Sequence, residues 1–94
     1  MKVGLLTLSY RLYSVNSIKE KRSILRHLEA EVRRAGPSFA VCELDGSTDL
    51  DGAVLRIAHV SNDARVTDAA LTSLQRRIER GSGFEIVDAE KEFL

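Results

Sequence analysis

The 94-residue sequence predicts a single α+β domain built in the order β-α-β-β-α-β. Three observations carry that expectation. The chain opens on an alternating apolar segment, two amphipathic stretches each begin at a capping residue and close at glycine, and polar breaks separate three further strand-like segments. A chain of this length holds one small hydrophobic core, so residues 1–94 are expected to form one domain.

The first strand is expected over Lys2 to Tyr13. Leu6, Leu8, Tyr10 and Leu12 fall on one side and Thr7, Ser9 and Arg11 on the other, the period of a half-buried strand. Val3 and Leu5 make that second side partly apolar. Ser17-Ile18-Lys19-Glu20 is a capping box, in which the Ser17 hydroxyl accepts from the Glu20 amide and the Glu20 carboxylate returns to the Ser17 amide. A helix therefore starts at Ile18, with Ile18, Ile24, Leu25, Leu28, Val32 and Ala35 as its inner stripe and Gly36-Pro37 as its stop.

Ser38 to Asp45 and Ala53 to Ser61 read as the next two strands, joined by the polar, glycine-bearing segment from Asp45 to Gly52. Asn62 and Asp63 are caps for a second helix with the inner stripe Val66, Ala70, Leu71, Leu74 and Ile78, ending near Gly81-Ser82-Gly83. Phe84 to Phe93 is the last strand. Its alternation is imperfect, Phe84 and Ile86 sharing one parity and Val87, Ala89 and Phe93 the other, which predicts either a bulge or a shifted register.

Two right-handed helix-crossed units of this kind interleave as a four-stranded antiparallel sheet with both helices on one face, the ferredoxin-like arrangement. The opposite face then has no covering layer within the chain. Val3 and Leu5 with apolar neighbours are expected to form a patch there, and homo-oligomerisation through that uncovered sheet face is the expected remedy.

Composition is ordinarily globular, 44% hydrophobic and 30% charged, which excludes a disordered or collagen-like chain. The apolar run Val3 to Leu8 is too short for a signal peptide, and no segment approaches a membrane span. The lone Cys42 cannot form an internal disulfide; it reads as a small buried residue of a cytoplasmic protein.

The start of the first helix is the sharpest anomaly. Lys19, Lys21 and Arg22 occupy its first turn or so, where the helix macrodipole favours acids. At 100° per residue Lys19, Arg22, Arg26 and Arg33 fall on one outward stripe, and the Arg22–Arg26 like-charge pair opposes the helix by about 0.2 to 0.5 kcal/mol. A phosphate or other polyanion reverses that sign, so Ser17, Lys19, Lys21, Arg22 and Arg26 are the candidate anion-binding or nucleic-acid-binding residues. The bland alternative is a solvated basic face, with Glu29 pairing Arg33 and Glu31 pairing His27. Lys21 lies in the middle of the apolar arc, where it either snorkels past the end of the sheet or is held by a polar group such as a carboxylate; snorkelling is the expectation.

Other chemistries find no support. Ser47, Asp49, Asp51 and Gly52 imitate part of a calcium loop, but Ala58 stands where a bidentate Glu is required. One cysteine and two distant histidines, His27 and His59, cannot form a zinc site or a nucleophilic triad. The third strand has no aromatic on which to stack bases, and no phosphate loop follows the first strand. No catalytic residue, metal site or cofactor is expected.

Val3-Gly4-Leu5-Leu6, Ser17-Ile18-Lys19-Glu20-Lys21-Arg22, Val60-Ser61-Asn62-Asp63-Ala64 and Glu85-Ile86-Val87-Asp88 resemble the motifs of the YlxP-like family of small bacterial proteins, a domain of unknown function. The hexapeptide is similar to that family's S-L-K-E-K-R signature with Ile for Leu. The chain departs from the pattern at Gly46-Ser47-Thr48-Asp49, where a bulky residue is common, and at Lys91, where the last strand is usually apolar. The resemblance implies a ferredoxin-like fold and, from the usual gene neighbourhood among translation and ribosome-maturation genes, an RNA- or ribosome-associated role. It brings no established activity.

The expected function is thus a non-enzymatic cytoplasmic domain that docks on RNA or the ribosome through the basic helix start, with no membrane partner. The alternative is a self-associating regulatory domain that binds a small ligand at a sheet-face interface. Zero net charge is a cancellation: through Ala35 the chain holds eight Lys or Arg and three Asp or Glu, and from Gly36 onward six and eleven. A charge-divided surface follows if folding keeps the two sets apart.

Overall fold

The structure, a computed structural model, describes residues 1–44 and 50–94. Its elements are β1 (Lys2–Leu12), α1 (Ile18–Arg34), β2 (Phe39–Glu43), β3 (Gly52–Ser61), α2 (Ala64–Glu79) and β4 (Phe84–Phe93). The strands form one antiparallel sheet in the order β2-β3-β1-β4, and the helices cover one face, giving the expected ferredoxin-like architecture.

β1 is central and pairs with β3 on one side and β4 on the other. Its alternation puts Leu6, Leu8, Tyr10 and Leu12 against the helices, where they meet Leu55 and Ile57 of β3, Leu25, Leu28 and Val32 of α1, and Leu71, Leu74 and Ile78 of α2. Each such aliphatic side chain, once buried, contributes about 1.5 to 3 kcal/mol of transfer free energy, so this one cluster carries the fold. The parity change in β4 is a bulge: Tyr10 faces Ile86 and Ser9 faces Asp88, leaving Val87 as the extra residue. After it Ala89, Lys91 and Phe93 take the helix side. Lys91 there donates to Asp68 at 2.6 Å and Thr72 at 2.7 Å, which ties β4 to α2 and accounts for a charged residue in that row.

Several expectations are corrected. Ile18 is exposed at the helix start, one turn short of the sheet cover. Val66 is 54% exposed and Thr67 takes the inward position, fully buried. Thr67 fits because Gly4 has no side chain below it and because Ser61 and His59 offer hydrogen bonds at 2.6 and 3.0 Å. Cys42 is exposed rather than buried, because on β2 it belongs to the row facing away from the helices, opposite Arg56. The strands at Tyr13, Ser38 and Leu44 stop short of the expected ends. Helix α1 closes as expected on Gly36, whose φ of +140° suits glycine.

Candidate functional site

Ser17 caps α1 with extended backbone, its hydroxyl accepting from the Glu20 amide at 3.1 Å. The other half of the capping box goes elsewhere: the Glu20 carboxylate accepts from the Asn16 amide at 2.7 Å. Both groups therefore serve the helix itself, and an anion, Glu20, already stands at its positive end.

The candidate cations separate into two sets. Lys19, Arg22 and Arg26 are exposed, whereas Lys21 is only 2% exposed. The ammonium of Lys21 does not snorkel to water; the side chain is held inside, level with Leu25 and Leu28 on the buried stripe. Arg22 reaches across to β2, its Nη1 2.7 Å from Glu43 Oε1. Arg33 pairs with Glu29 as expected, at 3.5 Å, while Glu31 turns to Arg34 at 3.3 Å instead of to His27. Among the described residues no carboxylate comes within ion-pair distance of Lys19 or Arg26.

Packing adds three cations that sequence reasoning missed. Arg76, Arg77 and Arg80 at the end of α2 have no carboxylate partner among the described residues and frame one concavity with Ser73. Arg77 and Arg80 also wall a groove of about 480 Å³ whose floor is Leu28, Ile78 and Phe84 and whose far wall is His27 and Glu31 of α1. The groove continues past His27 to Arg26. In sequence these arginines read as ordinary compensation of a helix C-terminus; only the antiparallel approach of α1 and α2 sets them opposite the first helix.

The charge division follows layers instead of chain halves. Residues 18–35 and 64–80, the helices with their C-caps, hold ten Lys or Arg against five Asp or Glu; the other described residues hold four against seven. Glu85, Asp88, Glu90 and Glu92 all lie on the uncovered side of β4, opposite in space to the helices. The molecule is basic on the helix side and acidic on the strand side.

Catalytic readings stay weak. Ser61 donates to the Asp63 carbonyl at 2.8 Å, so Thr67 donates to Ser61 and His59 Nδ1 donates to Thr67. At its inner end this relay is sealed: Thr67 has no exposed surface and His59 is buried, so no substrate reaches the Thr67 hydroxyl or the imidazole, while the half-buried Ser61 hydroxyl is committed to Asp63. Among the described residues no three His, Cys, Asp or Glu side chains converge on a metal position. The partial calcium-loop pattern at Ser47 and Asp49 lies outside the described residues. No helix of the described residues is long and apolar enough to cross a membrane.

Residues 3–91 match the profile of a family described as protein of unknown function, DUF503. The chain belongs to the DUF503 family. A search of curated proteins finds no match to this DUF503 domain. Among solved structures, the de novo designed protein Foldit4 superposes with a TM-score of 0.55 at 16% identity, over 100% of this chain and 97% of that one. A hydantoinase/carbamoylase family amidase from Burkholderia ambifaria superposes at 0.50 and 10% identity, over 99% of the DUF503 domain but only 27% of the amidase. At such identities the likeness is one of fold alone.

Proposed function

We propose that this DUF503 domain is a non-enzymatic cytoplasmic module of the YlxP-like kind that docks on structured RNA or the ribosome through phosphate contacts from its helix layer. The observation that carries the reading is the set of exposed cations without acidic partners, Lys19 and Arg26 on α1 with Arg76, Arg77 and Arg80 on α2, in a layer of net positive charge. Cations left unpaired in a neutral protein repel one another in water and gain when phosphates replace their counterions. Contacts of this type position a domain on a backbone without reading sequence. Arg22 is the least available of the outer set, because Glu43 holds it.

Co-sedimentation with ribosomal subunits and with structured RNA over a salt series tests the proposal. The parent is compared with Lys19→Ala/Arg26→Ala and with Arg76→Ala/Arg77→Ala/Arg80→Ala, leaving Arg22 in place so that Glu43 keeps its partner. Binding at low salt that weakens in both variants is the expected result. No binding by the parent at low salt, or equal binding by all three proteins, overturns it.

A further inference from the structure

The uncovered face of the sheet has a residue order that suits a second copy of itself. Antiparallel pairing sets side chains in rows across the strands, and the row through Thr7 reads Arg56 on β3, Thr7 on β1 and Glu90 on β4. Arg56 donates from Nε to Thr7 at 3.0 Å, which aims its guanidinium across the middle of the face. No carboxylate of the described residues lies within ion-pair distance of it. Glu90, two strand spacings or roughly 10 Å away, is exposed, and its side chain makes no bond among the described residues. Toward the start of β1 the rows are apolar at their centre, Ala40, Ala58 and Leu5 in one, with Glu92 at its β4 end, and Val60 and Val3 in the next; on the other side the adjoining row holds Val54, Ser9 and Asp88. Val60 is exposed and Leu5 and Val3 are half-exposed, with no chain segment among the described residues above them.

We infer that two copies of this chain pair face to face about a two-fold axis running along β1, with Arg56 of each copy meeting Glu90 of the other. Such an axis lays β1 on β1 and β3 of each copy on β4 of its partner. It leaves every residue in its own row, so the single row Arg56–Thr7–Glu90 generates two cross-interface ion pairs by symmetry. Leu5 and Val3 then pack on their own symmetry mates beside the axis, which covers the apolar centre. The two Arg11 side chains also meet beside the axis, each accompanied by Glu85 of its own chain at 3.5 Å. Arg56, Glu90 and the uncovered apolar rows are satisfied by the same operation. The basic helix layers end up on the two outer surfaces of the dimer, so this interface is separate from the phosphate-binding surface proposed above.

Light scattering on the intact protein, without RNA, tests the dimer. The parent at high micromolar concentration is expected at twice the chain mass of 10.4 kDa. Arg56→Glu and Glu90→Arg are each expected to halve that mass, and the double reversal Arg56→Glu/Glu90→Arg to restore it. Glu90→Arg sits at an exposed position without side-chain bonds among the described residues, so it decides the matter even if Arg56→Glu, which loses the Thr7 bond, fails to fold. A monomeric parent overturns the inference, as does a dimer indifferent to Glu90→Arg. A mass that climbs beyond the dimer with concentration and collapses in salt also overturns it, because that is the signature of acidic β4 docking on the basic helices of the next copy.

Discussion

Gly4 of β1 lies directly beneath Thr67 of α2: a Cβ built on Gly4 would stand 2.5 Å from Thr67 Cγ2 and 2.9 Å from Leu71 Cδ1. The helix approaches the sheet this closely only because that position has no side chain. Gly4→Ala is therefore expected to destabilise the fold by about 1 to 3 kcal/mol through overpacking. For a domain of this size each kcal/mol lowers the melting temperature by roughly 4 to 8 °C. Thr67→Ser, which removes the Cγ2 methyl and keeps the hydroxyl bonds to His59 and Ser61, should recover part of the loss in the double variant. Unchanged melting of Gly4→Ala would show that α2 can lift without cost.

Tyr10 gives a pH dependence with a definite sign. Its hydroxyl is buried without a hydrogen-bond partner among the described residues, and burial pushes the phenol above its ordinary value of 10. The folded state therefore keeps its proton where the unfolded chain loses it, so stability is full below about pH 10 and falls as pH rises from there. Tyr10→Phe should be neutral or stabilising at pH 7, by up to about 1 kcal/mol, since the group removed bonds to nothing among the described residues. Denaturant titrations at pH 8 and above pH 10 check both statements. A Tyr10→Phe protein that loses stability at alkaline pH as steeply as the parent would contradict them.

The Arg22–Glu43 pair should behave as more than a surface ion pair. Glu43 is 12% exposed at its side chain, and its Oε2 is buried without a partner among the described residues, so removing Arg22 strands a poorly hydrated carboxylate. Arg22→Ala is expected to cost about 1 to 3 kcal/mol, nearer the penalty for breaking a buried pair than the value of an exposed one. A double-mutant cycle with Glu43→Gln measures the coupling. A coupling within a few tenths of a kcal/mol of zero would place the pair with ordinary surface contacts.

Lys21 and the outer cations are expected to differ in RNA binding. Removing a cation that touches one phosphate lowers the slope of log affinity against log salt by roughly 0.7 to 0.9. Lys19→Ala/Arg26→Ala should lower that slope, whereas Lys21→Met, at a buried position, should leave it unchanged. Lys21→Ala should instead cost stability, about 2 to 4 kcal/mol for a core truncation. A shallower slope in Lys21→Met would show that the side chain leaves its buried position on binding.

What was legible in the sequence follows from period. The alternation of Leu6, Leu8, Tyr10 and Leu12, the caps at Ser17 and Asp63, and the parity change at Val87 are local patterns, and the structure repeats them. What was not legible depends on contacts between distant segments. Thr67 outranks Val66 for the core only because Gly4, Ser61 and His59 are beneath it. Cys42 is exposed because the short strand β2 turns it to the uncovered face. Arg77 and Arg80 join the candidate surface only through the approach of two helices far apart in sequence.

The layered charge has a consequence for how the molecule moves before it touches anything. A body with no net charge feels almost no pull in a uniform field, but one whose positive and negative halves lie on opposite faces has a dipole moment normal to its sheet. Near a polyanion that moment exerts a torque, turning the helices forward and the acidic strand edge away. Encounter is thus oriented at distances of about a Debye length, roughly 8 to 10 Å at physiological salt. The same anisotropy should let this neutral protein, with a sequence pI near 6.7, adhere at low salt to both cation- and anion-exchange surfaces, presenting a different side to each.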